Sequence, residues 1–377
     1  MKRNGLVQDC VWIRKKYKRE AMYRKKWIAW CRLYLIGIIT LLCFIEAVRH
    51  AEDLKGRLSV LNFTASGQQG GMDQTAARLA QEQNLMLEVP LEFVNWTQED
   101  GIQAAAAGLE TAEECAALLL CGRSDLLFPG YMVLDMEVRD GCLISSTLSE
   151  KLFGGADTCG LTVEVQGRTL EVLDVIDSEE AFLAYEIAEN DMCLLDRASV
   201  RCMPESFGKT AESYGQLCGG WERMEDRMLA WITQGMYGLV PCILWIYLIC
   251  YCRCMLRNVR GTAGGCGGRA ERIFWKIFLY VLLAGGILLL IQRIRLPEDM
   301  IPAKWSDFEF WTEYGKRLGA SCRTLIWSEK KIPDIPIWKE FVRAILWGTG
   351  AAIGEVLFLC SLHKIPARLL DNYFHVK

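Results

Sequence analysis

Histidine is almost missing from this chain: there are three, His50, His363 and His375. That scarcity removes the HExxH pattern and most zinc-catalysed hydrolysis, which need paired imidazoles. No G-x-S-x-G occurs, so the serine-hydrolase elbow is missing too. Phe207-Gly208-Lys209-Thr210 has the end of a phosphate-binding loop, but Met203 stands where its first glycine is required. Asp174, Asp177, Glu179 and Glu180 read as a solvated acidic face rather than a hydrolytic pair. No catalytic constellation, metal site or cofactor site is expected.

Basic charge is scarce in the body. Residues 51–226 hold 32 acids against 11 Lys and Arg, a net of −21. Phosphate backbones bind to basic faces, so nucleic acid is excluded as a partner. Residues 1–26 are the opposite, with ten Lys and Arg against two acids.

Charged residues are scarce in four apolar stretches. Trp27–Ile45 has one charge, Arg32; Leu229–Cys252 has none; Ile273–Ile291 has Lys276; Phe341–Leu362 has Arg343 at its edge and Glu355 inside. Each has the roughly 20 residues that cross a hydrocarbon core. The first run is longer than a signal-peptide core, and Glu46-Ala-Val-Arg-His50 does not read as a cleavage site, so it is expected to be a retained anchor. The expected fold class is an integral membrane α-helical protein with four transmembrane helices and an α/β extracytoplasmic domain inserted between spans 1 and 2.

The basic N-terminus sets the orientation, since Lys and Arg stay on the cytosolic side. Residues 1–26 are then a cytosolic segment, 27–48 the first span, 49–227 the outer domain and 228–252 the second span. A cytosolic loop follows at 253–272, the third span at 273–292, an outer loop at 293–340, the fourth span at 341–362 and a cytosolic tail at 363–377. Both termini are thus expected in the cytosol of a multi-pass cell-membrane protein.

Within the outer segment, strands are expected at 57–65 and 85–93, flanking a helix near 75–83. Residues 104–107 and 110–120 read as helical, as do 178–188. A helix from Tyr214 is expected to run into the second span. Leu161, Val163 and Val165 alternate with polar residues before Gln166-Gly167, and Leu170 and Val172 resume the alternation, which is a hairpin signal. Cys142–Ser145 precedes it as a short strand, Thr147-Leu-Ser-Glu150 as a capping box, and Gly154 as a helix end. Leu152 and Phe153 are both expected in the core. Seven cysteines fall here, Cys115, Cys121, Cys142, Cys159, Cys193, Cys202 and Cys218, and some are expected to pair in an oxidising exterior. Cys250, Cys252 and Cys254 read as small apolar fillers.

The stretch from Asp140 to Asp177, DGCLISSTLSEKLFGGADTCGLTVEVQGRTLEVLDVID, resembles the extracytoplasmic core domain of MacB-like and FtsX-like ABC transporter permeases. Ser149 to Gly154 match the family's helix motif, Asp157 and Gly160 its turn, and Gly167, Val172 and Val175 its hairpin. Pro129-Gly-Tyr131 and Gly141 resemble the approach to the strand. The order of one span, a large outer domain and three further spans is also similar. The resemblance implies a permease subunit that passes ATP-driven motion to its outer domain. It further implies a separate cytosolic ABC ATPase and a second permease copy or related chain in the same bilayer.

The family's charged segment after the second span is replaced by a basic stretch, in which Arg253, Arg257, Arg260 and Arg269 are the candidate ATPase-coupling residues. The glycine-rich run Gly261–Gly268 behind it reads as a flexible linker. A non-transporting sensor or scaffold with a degenerate permease fold is therefore the alternative. Gly350 and Gly354 form a small-xxx-small face, for packing against the chain's own spans or against a second copy. Glu355 is an intramembrane ionisable residue, either functional or hydrogen-bonded near the cytosolic boundary. Trp305, Phe308, Phe310 and Trp311 are expected at the membrane interface.

Overall fold

The computed structural model describes residues 3–65, 71–136, 138, 140–155, 157–188, 193–203, 206–219, 221–262, 266–293 and 308–363. In chain order the elements begin with α1 (Arg3–Arg57), β1 (Val60–Ala65), β2 (Met72–Asp73), α2 (Gln74–Leu85), β3 (Phe93–Ala106), β4 (Ala112–Gly122) and β5 (Gly141–Ser145). Then come α3 (Ser146–Phe153), β6 (Thr162–Val165), β7 (Arg168–Ile176), β8 (Phe182–Glu186), β9 (Leu194–Leu195) and β10 (Arg197–Arg201). The chain continues with α4 (Phe207–Cys218), β11 (Trp221–Arg223), α5 (Arg227–Thr262), α6 (Cys266–Arg293), α7 (Phe308–Trp327) and α8 (Ile335–His363). They divide into two units: Asp53–Ala230 with Leu296–Lys339, and Met1–Glu52 with Trp231–Arg295 and Glu340–Lys377.

The first unit is α/β. Its main sheet has nine strands in the order β11-β1-β10-β3-β4-β8-β5-β7-β6. β3 is long enough to serve two neighbours. Its first half pairs with β10, an irregularity between Glu99 and Ile102 redirects it, and Ala104–Ala106 then pair with Val163–Val165 of β6. Strands β3, β4, β8, β5, β7 and β6 therefore close on themselves. One face of these strands, with Leu119, Ile144, Val172, Leu183 and Tyr185, packs with Leu148 and Leu152 of α3. The other face, with Trp96, Leu118, Leu120, Leu143 and Phe182, is covered by Leu126, Phe128, Leu134 and Ile332. A third cluster joins Phe63, Phe93 and Tyr214, with the Phe63 and Tyr214 rings 4.7 Å apart.

The expected hairpin forms as read. Gln166 (φ 48°) and Gly167 (φ 79°) both take positive φ, the two-residue turn that matches strand twist, and Val165 pairs with Arg168. α3 ends at Gly154 as expected, but its cap is Ser145, whose hydroxyl accepts from the Leu148 N–H at 3.2 Å. Leu152 is buried; Phe153 is only partly so.

Three expected helices are strands. Residues 104–107 end β3, 110–120 lie largely in β4, and 178–188 contain β8. β8 is buried on both faces and β4 along most of its length, so both lack the alternation that marks a strand. Tyr214 does not lead into the second apolar helix: α4 stops at Cys218, and β11 intervenes before α5. Residues 85–93 are mostly irregular, with β3 starting at their end. The segment expected as the outer loop, 293–340, has structure of its own. Phe308–Trp327 is a 20-residue helix, and residues 329–334 dock on the sheet. Trp305 lies outside the described residues.

The second unit is helical. Among the described residues, three stretches are long and apolar enough to cross a membrane: Trp30–Arg57, Arg227–Arg257 and Ile332–Leu362, each with end residues in the α/β unit. The expected third span falls on α6, where the described apolar stretch is the shorter Ile273–Gly286. The expected flexible linker is largely helix, since α5 runs to Thr262 and α6 starts at Cys266. α5 contains Pro241 without interruption. Of the tail expected at 363–377, residues 364–377 lie outside the described residues.

Candidate functional site: a buried charged junction

Arg197, at the start of β10, and Asp226, the residue before α5, are both buried charges. A buried charge survives only with partners, and here these come from distant parts of the chain. The Asn62 amide on β1 donates to Asp226 Oδ2 at 2.7 Å. Asn62 Oδ1 accepts from Ser199 Oγ at 2.7 Å, and Ser199 Oγ accepts from Trp96 Nε1 at 3.2 Å. A hydrogen-bonded row thus crosses β3, β10 and β1 and ends on the Asp226 carboxylate. Burial lifts that carboxyl to about 6; the Asn62 bond opposes this, the Asp334 carboxylate adds to it, and the Arg197 guanidinium counters it.

The segment before α8 closes the junction from the other side. Lys331 Nζ reaches both oxygens of Asp196 at 2.7 and 2.6 Å and lies 5.6 Å from the Trp96 ring centre. The Ile332 N–H donates to Gln98 Oε1 at 2.8 Å, and its side chain enters the sheet core. Arg197 Nη2 donates to the Glu329 carbonyl at 3.3 Å. Lys330 sits against Leu325 and Ser328 carbonyls, with its ammonium pushed down by burial. On the α5 side, Glu225 pairs with Arg223 and Arg227, and Arg227 stacks 4.1 Å from the Phe207 ring centre.

The members of this cluster are roots. Asn62 lies five residues beyond the end of α1, Asp226 immediately precedes α5, and Asp334 immediately precedes α8. Three segments that continue into apolar helices therefore meet at one charged point inside the α/β unit. The arrangement offers no nucleophile or proton-transfer pair. Chemically it can register displacement, because moving one root separates opposite charges held away from water.

A second buried acid stands apart from the junction. Glu186, at the end of β8, is pushed up to about 8 by burial, although a backbone bond from Gly122 and the Arg78 charge pull it down. Its Oε2 has no hydrogen-bond partner among the described residues. None of the seven domain cysteines is in a disulfide. Five are buried, Cys218 is half-buried and Cys159 is exposed, and burial pushes Cys121 and Cys142 up to about 12.

In the helical unit, the face with Gly350 and Gly354 lies against α1. A Cβ at Gly354 would stand 2.4 Å from Thr40 Oγ1, and one at Gly350 would stand 3.7 Å from Cys43 Sγ. Gly37 of α1 faces Phe358 in return, and Gly348 faces Met236 of α5. Glu355 lies on the same buried stripe as Ala344, Ala351 and Leu359, and its Oε2 has no hydrogen-bond partner among the described residues. His50 Nδ1 and Glu340 Oε2, 2.6 Å apart, link α1 to α8. Arg253 and Arg257 are exposed on the last turns of α5; the side chains of Arg260 and Arg269 lie outside the described ones. Sequence reading missed the junction. Its one local signal was the placing of Asp226 and Asp334 directly before apolar runs.

An α/β unit inserted between helices of this length and apolarity fits a membrane protein with an extracytoplasmic domain. No family model matches the chain, and no curated protein matches it. Two solved structures are similar to part of it. One is the periplasmic region of MacB from Actinobacillus actinomycetemcomitans, at 12% identity and a TM-score of 0.34, covering 44% of this chain and 87% of that one. The other is the extracellular domain of the noncanonic ABC-type transporter YknZ from Gram-positive bacteria, at 14% identity and a TM-score of 0.32, covering 44% of this chain and 99% of that one.

Proposed function

We propose that this chain is the permease subunit of a MacB/FtsX-type ABC transporter, with its α/β unit outside the membrane and both termini in the cytosol. The observation that carries this reading is the junction, where the roots of three apolar helices share buried charges with the sheet. A device of that kind suits a protein whose work is to pass motion from one side of a membrane to the other. The motif resemblance over residues 140–177 supports it independently. On this reading a separate cytosolic ATPase engages Arg253, Arg257, Arg260 and Arg269, and a second permease copy or a related chain completes the assembly.

The helical course of α5 to Thr262 favours the permease over the sensor or scaffold alternative, because a stiff helix transmits displacement where a glycine linker would absorb it. The test is co-purification in mild detergent followed by ATPase measurement on the reconstituted complex. The Arg253→Glu/Arg257→Glu double variant should lower both ATPase recovery and ATPase rate. Rates and recovery that stay at wild-type values would favour the scaffold.

A further inference from the structure

The sheet closes on itself at one end, where β6 meets β3, but among the described residues β11 is paired on one side only, to β1. Beside β11 lies a cleft of about 740 Å³. Five consecutive residues, Trp221 to Glu225, form its floor; α4 supplies Ala211 and Glu212 on one wall, and α7 supplies Phe310, Ser321 and Leu325 on the other. An unpaired strand edge beside an open cleft is a template for one more strand.

The lining states the chemistry of what fits. Phe63, Trp221, Met224, Phe310 and Leu325 offer apolar contact. The exposed charges of the lining are Glu212 and Glu222, and among the described residues neither is in an ion pair. Arg223, the one base in the lining among the described side chains, is engaged by Glu225. The surrounding segment 51–226 is acidic overall, which draws cations toward the cleft and repels anionic strands.

We infer that this cleft receives an extended peptide segment of alternating basic and apolar residues, which adds to the sheet along β11. Side chains on an added strand point alternately to opposite faces, so a base opposite Glu222 leaves its apolar neighbours facing the α4 side, where Trp221 lies against Tyr214. The floor of the cleft and its α7 wall both lead to the junction. The Met224 N–H donates to the Asn62 carbonyl at 2.8 Å, one residue from Glu225 and two from Asp226. The α7 wall continues within two residues to Glu329, whose carbonyl accepts from Arg197. A segment bound between the walls therefore presses on the roots of α5 and α8. That last step rests on the permease reading; the binding itself does not.

The test uses the full chain in nanodiscs and a fluorescein-labelled Lys-Val hexapeptide of strictly alternating sequence, followed by anisotropy. Binding of the Lys-Val peptide should weaken about threefold in Glu222→Lys relative to wild type, as expected for the loss of one surface pair and its replacement by repulsion. The charge-swapped chain should in turn bind the Glu-Val hexapeptide, which wild type rejects; that rescue also proves the variant folded. A Lys-Val peptide with proline at its central positions should bind poorly, since it cannot supply ladder hydrogen bonds. Equal binding of Lys-Val and Glu-Val peptides to wild type overturns the proposal, and so does full binding of the proline peptide. Displacement of the peptide by raising the concentration of the chain itself would instead assign the cleft to a second copy and also overturn it. ATPase rates play no part in these readouts, so their failure leaves the permease reading standing.

Discussion

Contacts in the helical unit are made by small residues at close approach, whereas the segment leading into α8 is held in the α/β unit by charge and by one inserted side chain. Gly350 and Gly354 let α8 lie against Thr40 and Cys43 through close approach, and the polar link between the same two helices, His50 to Glu340, lies outside that stretch. A few residues upstream, Lys331 spans both oxygens of Asp196, Arg197 holds the Glu329 carbonyl, and Ile332 fills the sheet core. One helix is thus anchored by two kinds of force. Close packing is insensitive to salt and pH but intolerant of a methyl group. A charged anchor tolerates small shifts but answers to protons and ions. A part that must move while staying attached needs both.

The largest effect should come from emptying the inserted position. Ile332→Ala removes most of a side chain that is 8% exposed, and should destabilise the α/β unit by about 2–4 kcal/mol. Thermal unfolding of the full chain in detergent checks it. An unchanged midpoint would mean that the charges alone hold this segment and that the comparison is drawn in the wrong place.

Next comes the close approach. Gly354→Ala places a methyl where Thr40 Oγ1 already stands, and should cost about 1–3 kcal/mol. Thr40→Ala in the same chain should recover part of the loss. If the second change does not help, the helices separate rather than strain, and the contact is looser than its geometry.

The smallest effect should be that of pH, confined to the charged side. Asp226 titrates near 6 when folded against 3.8 unfolded, and Glu186 near 8 against 4.5. Both values are raised, so the folded state binds protons that the unfolded chain does not, and stability is lost as pH rises through these windows. Lowering pH from 7.5 to 5 should therefore stabilise the α/β unit, with Asp226 at the junction contributing about 1 kcal/mol of the gain. Asp226→Asn should reduce the slope between pH 6 and 4 and leave the Glu186 part, which runs from about 8 down to 4.5. A profile in the variant that matches wild type would move the titration away from the junction.

Local features were legible and distant ones were not. Gln166-Gly167 and Gly154 announce a turn and a helix end because backbone sterics act within a few residues. The apolar runs announce membrane-length helices for the same reason. β4 and β8 were misread because strands covered on both faces lose their period of two. The docking of Lys331 and Ile332 was missed because its partners, Asp196, Gln98 and the sheet core, lie more than a hundred residues away. The junction gathers Asn62, Arg197, Asp226 and Asp334 from across the chain, and only the fold brings them together.

The domain's cysteines give it a particular exposure to time. Five of its seven thiols are buried and Cys121 and Cys142 have their ionisation pushed far above neutral, so in the closed fold they are poor nucleophiles. Every opening of the sheet hands those sulfurs to the surroundings. On the outer side of a membrane, a single excursion can end in a wrong bond that prevents return. The working lifetime of this domain is then governed by how seldom it opens, rather than by how deep its energy well lies.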